Sequence, residues 1–157
     1  MKKILILFCS ILLFASCSSN EELGSSSSDD LLTRHPWVNS NSEIVEITNH
    51  GNLSYDEAKT KIENRLKERD KLKTVLSFKR DGSGKILYPE NNALSDSKFG
   101  WLTIPPNKLR LIMSTSAQTL LFEYTVDNTR LSLTFDEEYQ YNGILIKYII
   151  KWNFNKQ

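Results

Sequence analysis

Residues 144–154, ILIKYIIKWNF, decide the fold. Ile144, Ile146, Tyr148, Ile150, Trp152 and Phe154 fall on one face, and Leu145, Lys147, Ile149, Lys151 and Asn153 on the other. A period of two sustained this long belongs to a strand rather than a helix. Asn142-Gly143 marks its start.

The same period recurs upstream. Leu131, Leu133 and Phe135 share a face, as do Leu120, Phe122, Tyr124 and Val126, with the turn signal Asp127-Asn128 between the two runs. Leu109-Arg110-Leu111-Ile112-Met113 follows the turn Pro105-Pro106-Asn107, and Phe99-Gly100-Trp101-Leu102-Thr103-Ile104 precedes it. Leu76 and Phe78 alternate before Asp81-Gly82, with Ile86 and Tyr88 beyond. Asp-Gly between alternating runs signals a hairpin, because the turn demands positive φ. Residues 89–97 read as a loop. A first strand runs over residues 31–38 and resumes at Ile44-Val45-Glu46-Ile47, broken by Asn39-Ser40-Asn41-Ser42. The total is about eight strands with short connections. That predicts a mainly β fold, an antiparallel meander closed into a barrel that removes its own edges.

Residues 54–71 read as the single helix, lying on the barrel surface. Ser54 and Glu57 fit a capping box. Ala58, Ile62 and Leu66 recur every four residues with Tyr55 near the start, a narrow stripe that buries one edge. Glu57 with Lys61 and Glu63 with Lys67 stand at i,i+4 in the favourable order.

Residues 1–17, MKKILILFCSILLFASC, carry a different message. Lys2 and Lys3 precede an apolar run too short for a membrane span, which needs about 20 residues. Length and flanks are those of a secretory signal over residues 1–16. Residues 17–30 are Ser-rich and acidic, too poor in apolar side chains to build a core, and read as a tether reaching on the order of 20 Å. The folded domain is then residues 31–157, one domain of ordinary size.

Lys and Arg number 20 against 19 Asp and Glu; without Lys2 and Lys3 the balance is near neutral, which gives no sign of the strongly basic face that nucleic acid requires, and no nucleic-acid partner is expected. The only histidines are His35 and His50, and the only cysteines Cys9 and Cys17. No zinc ligand cluster, disulfide or cofactor site is expected. Asp136-Glu137-Glu138 lacks calcium-loop spacing and reads as a solvated hairpin loop. No nucleophile elbow or phosphate loop occurs, and the expectation is a protein that is not an enzyme.

Phe14-Ala15-Ser16-Cys17 resembles a bacterial lipobox, which implies lipid attachment at Cys17 and membrane anchoring. Asn20-Glu21-Glu22 resembles the acidic export signal of surface lipoproteins in one Gram-negative group; a tether acidic only for solubility is the alternative. Ser18 is not the Asp that retains lipoproteins at the inner membrane, so an outer-membrane address is expected, facing the periplasm or the cell surface. The order of Trp37, Leu76-Ser77-Phe78-Lys79-Arg80-Asp81-Gly82-Ser83-Gly84, Phe99-Gly100-Trp101 and Leu109-Arg110-Leu111 resembles the lipocalin-like domain of small bacterial lipoproteins. His35 stands where true lipocalins place Gly before their Trp.

Two functions follow as expectations. The first is a tethered scaffold or interaction module meeting an envelope protein or glycan. The alternative is a binder of a small apolar ligand, with Trp37, Trp101, Phe122, Tyr124, Tyr148 and Trp152 as candidate lining and core packing as their ordinary role. Since each inward set is dominated by large side chains, the interior should be mostly filled.

Overall fold

The structure, a computed structural model, describes residues 27–90 and 93–157. The signal segment, Cys17 and the tether as far as residue 26 lie outside the described residues. The fold is an eight-stranded antiparallel meander, β1 (Trp37–Asn49), β2 (Val75–Phe78), β3 (Ser83–Glu90), β4 (Ala93–Ile104), β5 (Lys108–Met113), β6 (Thr119–Val126), β7 (Arg130–Tyr141) and β8 (Ile144–Lys156). Each strand pairs with the next, and β1 with β8, so the sheet closes as expected.

Two helices accompany it rather than one. α1 (Ser28–Thr33) starts where the sequence reads as tether and occupies part of the expected first strand. Ser27 caps it by accepting from the Asp30 N–H, and Asp29 and Asp30 favour its first turn electrostatically. At 6 residues it is too short to show a period. Leu32, fully buried, plugs the barrel end where β1 begins and β8 finishes.

α2 (Tyr55–Asp70) has the expected capping box, and Ala58, Ile62 and Leu66 are buried. Tyr55, placed at the edge of that stripe by sequence, is exposed. The i,i+4 ion pair formed is Lys59 with Glu63 at 4.0 Å. Glu57 is held by the cap, and Lys61 lies over the Tyr141 ring at 4.4 Å.

β1 is one strand of 13 residues, not two pieces. Register shifts at Asn39/Asn41, Ile44/Glu46 and Ile47/Asn49 let it coil along β8 without breaking. Its polar run survives because most of its polar groups find partners, the buried Asn39 Oδ1 being the exception. Ser40 donates to the Asn153 carbonyl at 3.0 Å, and Asn41 to Glu43 at 3.0 Å. The Ser42 N–H and hydroxyl donate to Asp70 at 2.7 and 2.6 Å. The expected loop over residues 89–97 is instead the tip of the β3–β4 hairpin, paired as far as Glu90↔Ala93. Backbone pairing there does not need an apolar face, which is why polarity misled.

The turns behave as their residues require. Gly82, Asn142 and Gly143 all have positive φ. In the β6–β7 turn the Asp127 carboxylate accepts from the Thr129 and Arg130 N–H groups at 2.7 and 2.8 Å, which holds its pKa below the usual carboxylate range. Gly84 sits beneath the ring of its register partner Phe99, so closely that a Cβ would collide with the aromatic carbons.

Two seams shape the molecule. β1 pairs with β2 only at Trp37↔Leu76 and Val38↔Val75, and β6 with β7 only from Glu123↔Thr134 to Val126↔Leu131. Both pairings lie at the α1 end. Above them β7, β8 and β1 continue as a three-stranded extension and part from the rest of the barrel. α2 packs on the inward face of that extension, against Ile146, Tyr148 and Ile150. The seam between β6 and β7 is left open.

Candidate functional site

The interior below the seams is filled. Trp37, Leu76, Phe78, Phe99, Leu109, Leu111, Phe122, Tyr124, Leu131, Leu133 and Phe154 form one buried cluster with Leu32. Of several surface concavities the one with the most aromatic lining is the open seam, a cleft of ≈ 490 Å³ walled by Leu120 and Phe122 of β6, Phe135 and Glu137 of β7, Trp152 of β8 and Arg69 of α2. That volume lies in the range of small-molecule sites. A smaller groove of ≈ 250 Å³ continues it outward between Leu121 of β6 and Asp136 of β7.

The floor is aromatic. Phe122 and Phe135 meet edge-on at 5.0 Å between centroids, Phe135 lies 6.4 Å from Trp152, and Trp152 lies 4.8 Å from Phe154. Such contacts fix ring orientation and add to the burial energy.

The polar wall descends from α2. Residues 65 and 69 stand one turn apart, on the face turned to β7. Arg65 and Arg69 share the Glu137 carboxylate at 3.1 and 2.8 Å, one oxygen each. Arg69 also donates to the Ser42 hydroxyl at 3.2 Å, and its guanidinium lies over the Trp152 ring at 5.3 Å. Glu137 therefore belongs to an inward ion-pair network, while Asp136 and Glu138 face out and Glu138 pairs with Lys147 at 2.7 Å. The expected solvated acidic loop is a segment of β7.

Three hydrogen-bonding groups in this region are buried without a partner in the protein: Arg69 Nε, Trp152 Nε1 and the Tyr148 hydroxyl. Tyr148 is register partner to Glu137, under α2. Burial, reinforced by Glu137, pushes its pKa up to about 12 against the opposing guanidinium groups, so it stays a neutral donor. A buried unmade hydrogen bond costs about 1–3 kcal/mol. Arg69 and Trp152, which carry two of these donors, are among the residues that line the cleft.

The six aromatics expected to line a pocket do not converge. Phe122 and Trp152 reach the cleft. Tyr148 lies beneath α2. Trp37, Tyr124 and Trp101 serve the opposite end. Trp37 donates to the Leu32 carbonyl at 3.0 Å and Tyr124 to Ser28 at 2.9 Å. The Trp101 indole N–H is shared between the Lys79 and Ser83 carbonyls, both at 3.0 Å, and so pins the β2–β3 turn. The sequence put Phe135 on the shared face of its strand and Glu137 in a solvated acidic loop, and offered neither of them, nor Arg69, as lining. Phe135 continues the alternation of β7 and could have been found; Arg69 could not, because on the helix it reads as one more surface charge.

Among the described residues no group of three or more His, Cys, Asp or Glu is placed to hold a metal ion, and no helix is long and apolar enough to cross a membrane. Cys17 lies outside the described residues. No protein-family model, characterised protein or solved structure matches this chain.

Proposed function

We propose that the protein is a lipid-tethered binding module of the cell envelope, with a lipocalin-like barrel. It takes a small amphipathic molecule at its open seam rather than inside the barrel. The observation that carries this is the pairing of an aromatic floor with unpartnered buried donors on Arg69 and Trp152. A molecule with an apolar body and a hydrogen-bond-accepting head satisfies both: the body covers Phe122, Phe135 and Leu120, and the head takes the two N–H groups. Glu137 holds the Arg69 guanidinium in place from the other side. Binding and release, without bond chemistry, is the activity this arrangement supports.

The test uses native mass spectrometry and intrinsic tryptophan fluorescence on the full chain carrying Cys17→Ala. A co-purified or added amphiphile with a carboxylate or carbonyl head should bind and shift Trp152 emission. At 100 times its Kd it adds about 2.7 kcal/mol of stability. Arg69→Gln together with Trp152→Phe should abolish binding and leave the chain folded. An amphiphile that binds the double variant equally well, or none that binds the parent at tens of micromolar, would remove this reading.

A scaffold role remains the second reading, favoured by the edge of β7 over residues 135–141, which pairs with β8 but not with β6. An unpaired edge can receive an extended segment of a partner.

The anchor has its own test. Cys17→Ala should fold normally and lose metabolic labelling by a fatty acid, because the thioether is chemically separate from the core. Acyl chains contribute about 0.8 kcal/mol per buried CH₂, so the unlabelled chain should leave the membrane fraction. Labelling that survives the substitution would refute attachment at this residue.

A further inference from the structure

We propose that the outer face of β4–β6 is a membrane-contact surface, resting on the phospholipid of an anionic bilayer. The inference rests on the tethering proposed above; at its β6 edge the face adjoins the groove that continues the cleft, where Lys108, Leu121 and Glu123 stand.

The register sets out the face row by row. Gly100, Ile112 and Thr119 stand side by side across the three strands, then Leu102, Arg110 and Leu121, then Ile104, Lys108 and Glu123. Side chains directly opposite one another lie about 5 Å apart and diagonal ones about 7–8 Å, so Leu102, Ile112 and Leu121 form one patch around Arg110. They are 41 %, 42 % and 48 % exposed, and account for half of the six large apolar side chains that stand exposed among the described residues. One face thus concentrates what would be scattered singly on an ordinary surface.

Cations frame the patch. Lys98, Lys108 and Arg110 are exposed, and among the described residues none is in an ion pair. The carboxylates on the same face are Glu123, opposite Lys108, and Asp96, which Lys85 neutralises at 2.6 Å. Apolar tips among unpaired cations suit the interface of an anionic bilayer, where the tips enter and the charges meet phosphate.

The course of the chain adds a second, independent argument. The N-terminal turn of α1 lies across the end of the barrel at which this face finishes, tied to inward side chains of β4 and β6 and, through Asp30 and Arg80, to the β2–β3 turn. Ser28 accepts from the Tyr124 hydroxyl on β6, and the Thr103 hydroxyl on β4 donates to Asp29 at 2.9 Å. Even fully extended, residues 18–27 cannot span more than about 35 Å. An anchor at Cys17 therefore holds the α1 end of the barrel, where the β4–β6 face finishes, within that reach of the bilayer, and the patch and its cations decide which side turns to it.

Vesicle sedimentation of the mature chain, residues 17–157 with Cys17→Ala, tests this without help from either the lipid or the apolar signal segment. It should partition onto vesicles of equal parts phosphatidylglycerol and phosphatidylcholine, and not onto phosphatidylcholine alone. Arg110→Gln should weaken partition about fivefold, and Lys98→Gln, Lys108→Gln and Arg110→Gln together on the order of 100-fold. Leu102→Ser with Ile112→Ser keeps every charge and should also weaken it. Lys67→Gln and Lys151→Gln, on α2 and β8, should not. All these side chains are at least partly exposed, so melting midpoints should stay together. No partition by the parent chain, equal partition onto neutral vesicles, or equal loss in the Lys67 and Lys151 variants would overturn the proposal. Partition that follows the expected order in a chain whose Cys17 takes no fatty-acid label would retain this face and discard the anchor.

Discussion

Ile62→Asp should cost the domain roughly 4 kcal/mol or more. Ile62 is fully buried between α2 and the extension of β7, β8 and β1, among Ile146, Tyr148 and Ile150. Removing its side chain forfeits about 1.5–3 kcal/mol of apolar burial. A carboxylate in its place adds the cost of an unpaired buried charge, or of the proton needed to neutralise it. Arg65 and Arg69, the cations of α2 that turn toward β7, are already committed to Glu137. A helix of 16 residues has little stability alone and depends on this contact. Against a total of about 5–15 kcal/mol, such a loss leaves a large unfolded fraction. Urea denaturation followed by far-ultraviolet circular dichroism gives the comparison. Glu63→Ala, removing an exposed ion pair, should move the midpoint by only a few tenths of a kcal/mol. If the two variants behaved alike, α2 would not be docked as described.

Trp37→Ala should be comparably severe, at about 4–6 kcal/mol, for a different reason. Trp37 is fully buried and stands at the narrow seam where β1 bridges Leu76 of β2 and Lys156 of β8. Losing a large aromatic from a packed core costs about 3–5 kcal/mol. The indole N–H is also the donor to the Leu32 carbonyl, so its removal adds about 1 kcal/mol and loosens α1. Trp37→Phe separates the two effects. It keeps most of the packing and loses the bond, and should cost about 1–3 kcal/mol with earlier proteolysis near residues 28–34. A Trp37→Ala chain that melts with the parent would show that the seam is held elsewhere.

The contrast between these two residues locates what could be read in advance. Ile62 was legible because α2 is long enough for a stripe to recur and its cap is local chemistry. Trp37 was legible as a core candidate but not as the hinge pin of α1. Helix α1 itself was hidden by its length and by serines and aspartates that suit a tether as well as a cap. Polar composition also hid the tip of the β3–β4 hairpin and the continuity of β1, where the Asp70 carboxylate and the Asn153 backbone carbonyl supply the missing bonds from far along the chain.

The sequence by itself determined the barrel, because alternation and turn residues are properties of neighbours along the chain. It determined the strand order too, since short connections leave an antiparallel meander little choice. Only the tertiary structure decided where the barrel stays open. The extent of pairing between β6 and β7 depends on how far β7, β8 and β1 outrun their neighbours and on α2 drawing that extension aside. For the same reason only the structure could bring Arg69 onto Trp152 and Glu137. It alone turned Trp37, Trp101 and Tyr124 away from the cleft, since alternation says which residues share a face but not at which end of the barrel they meet.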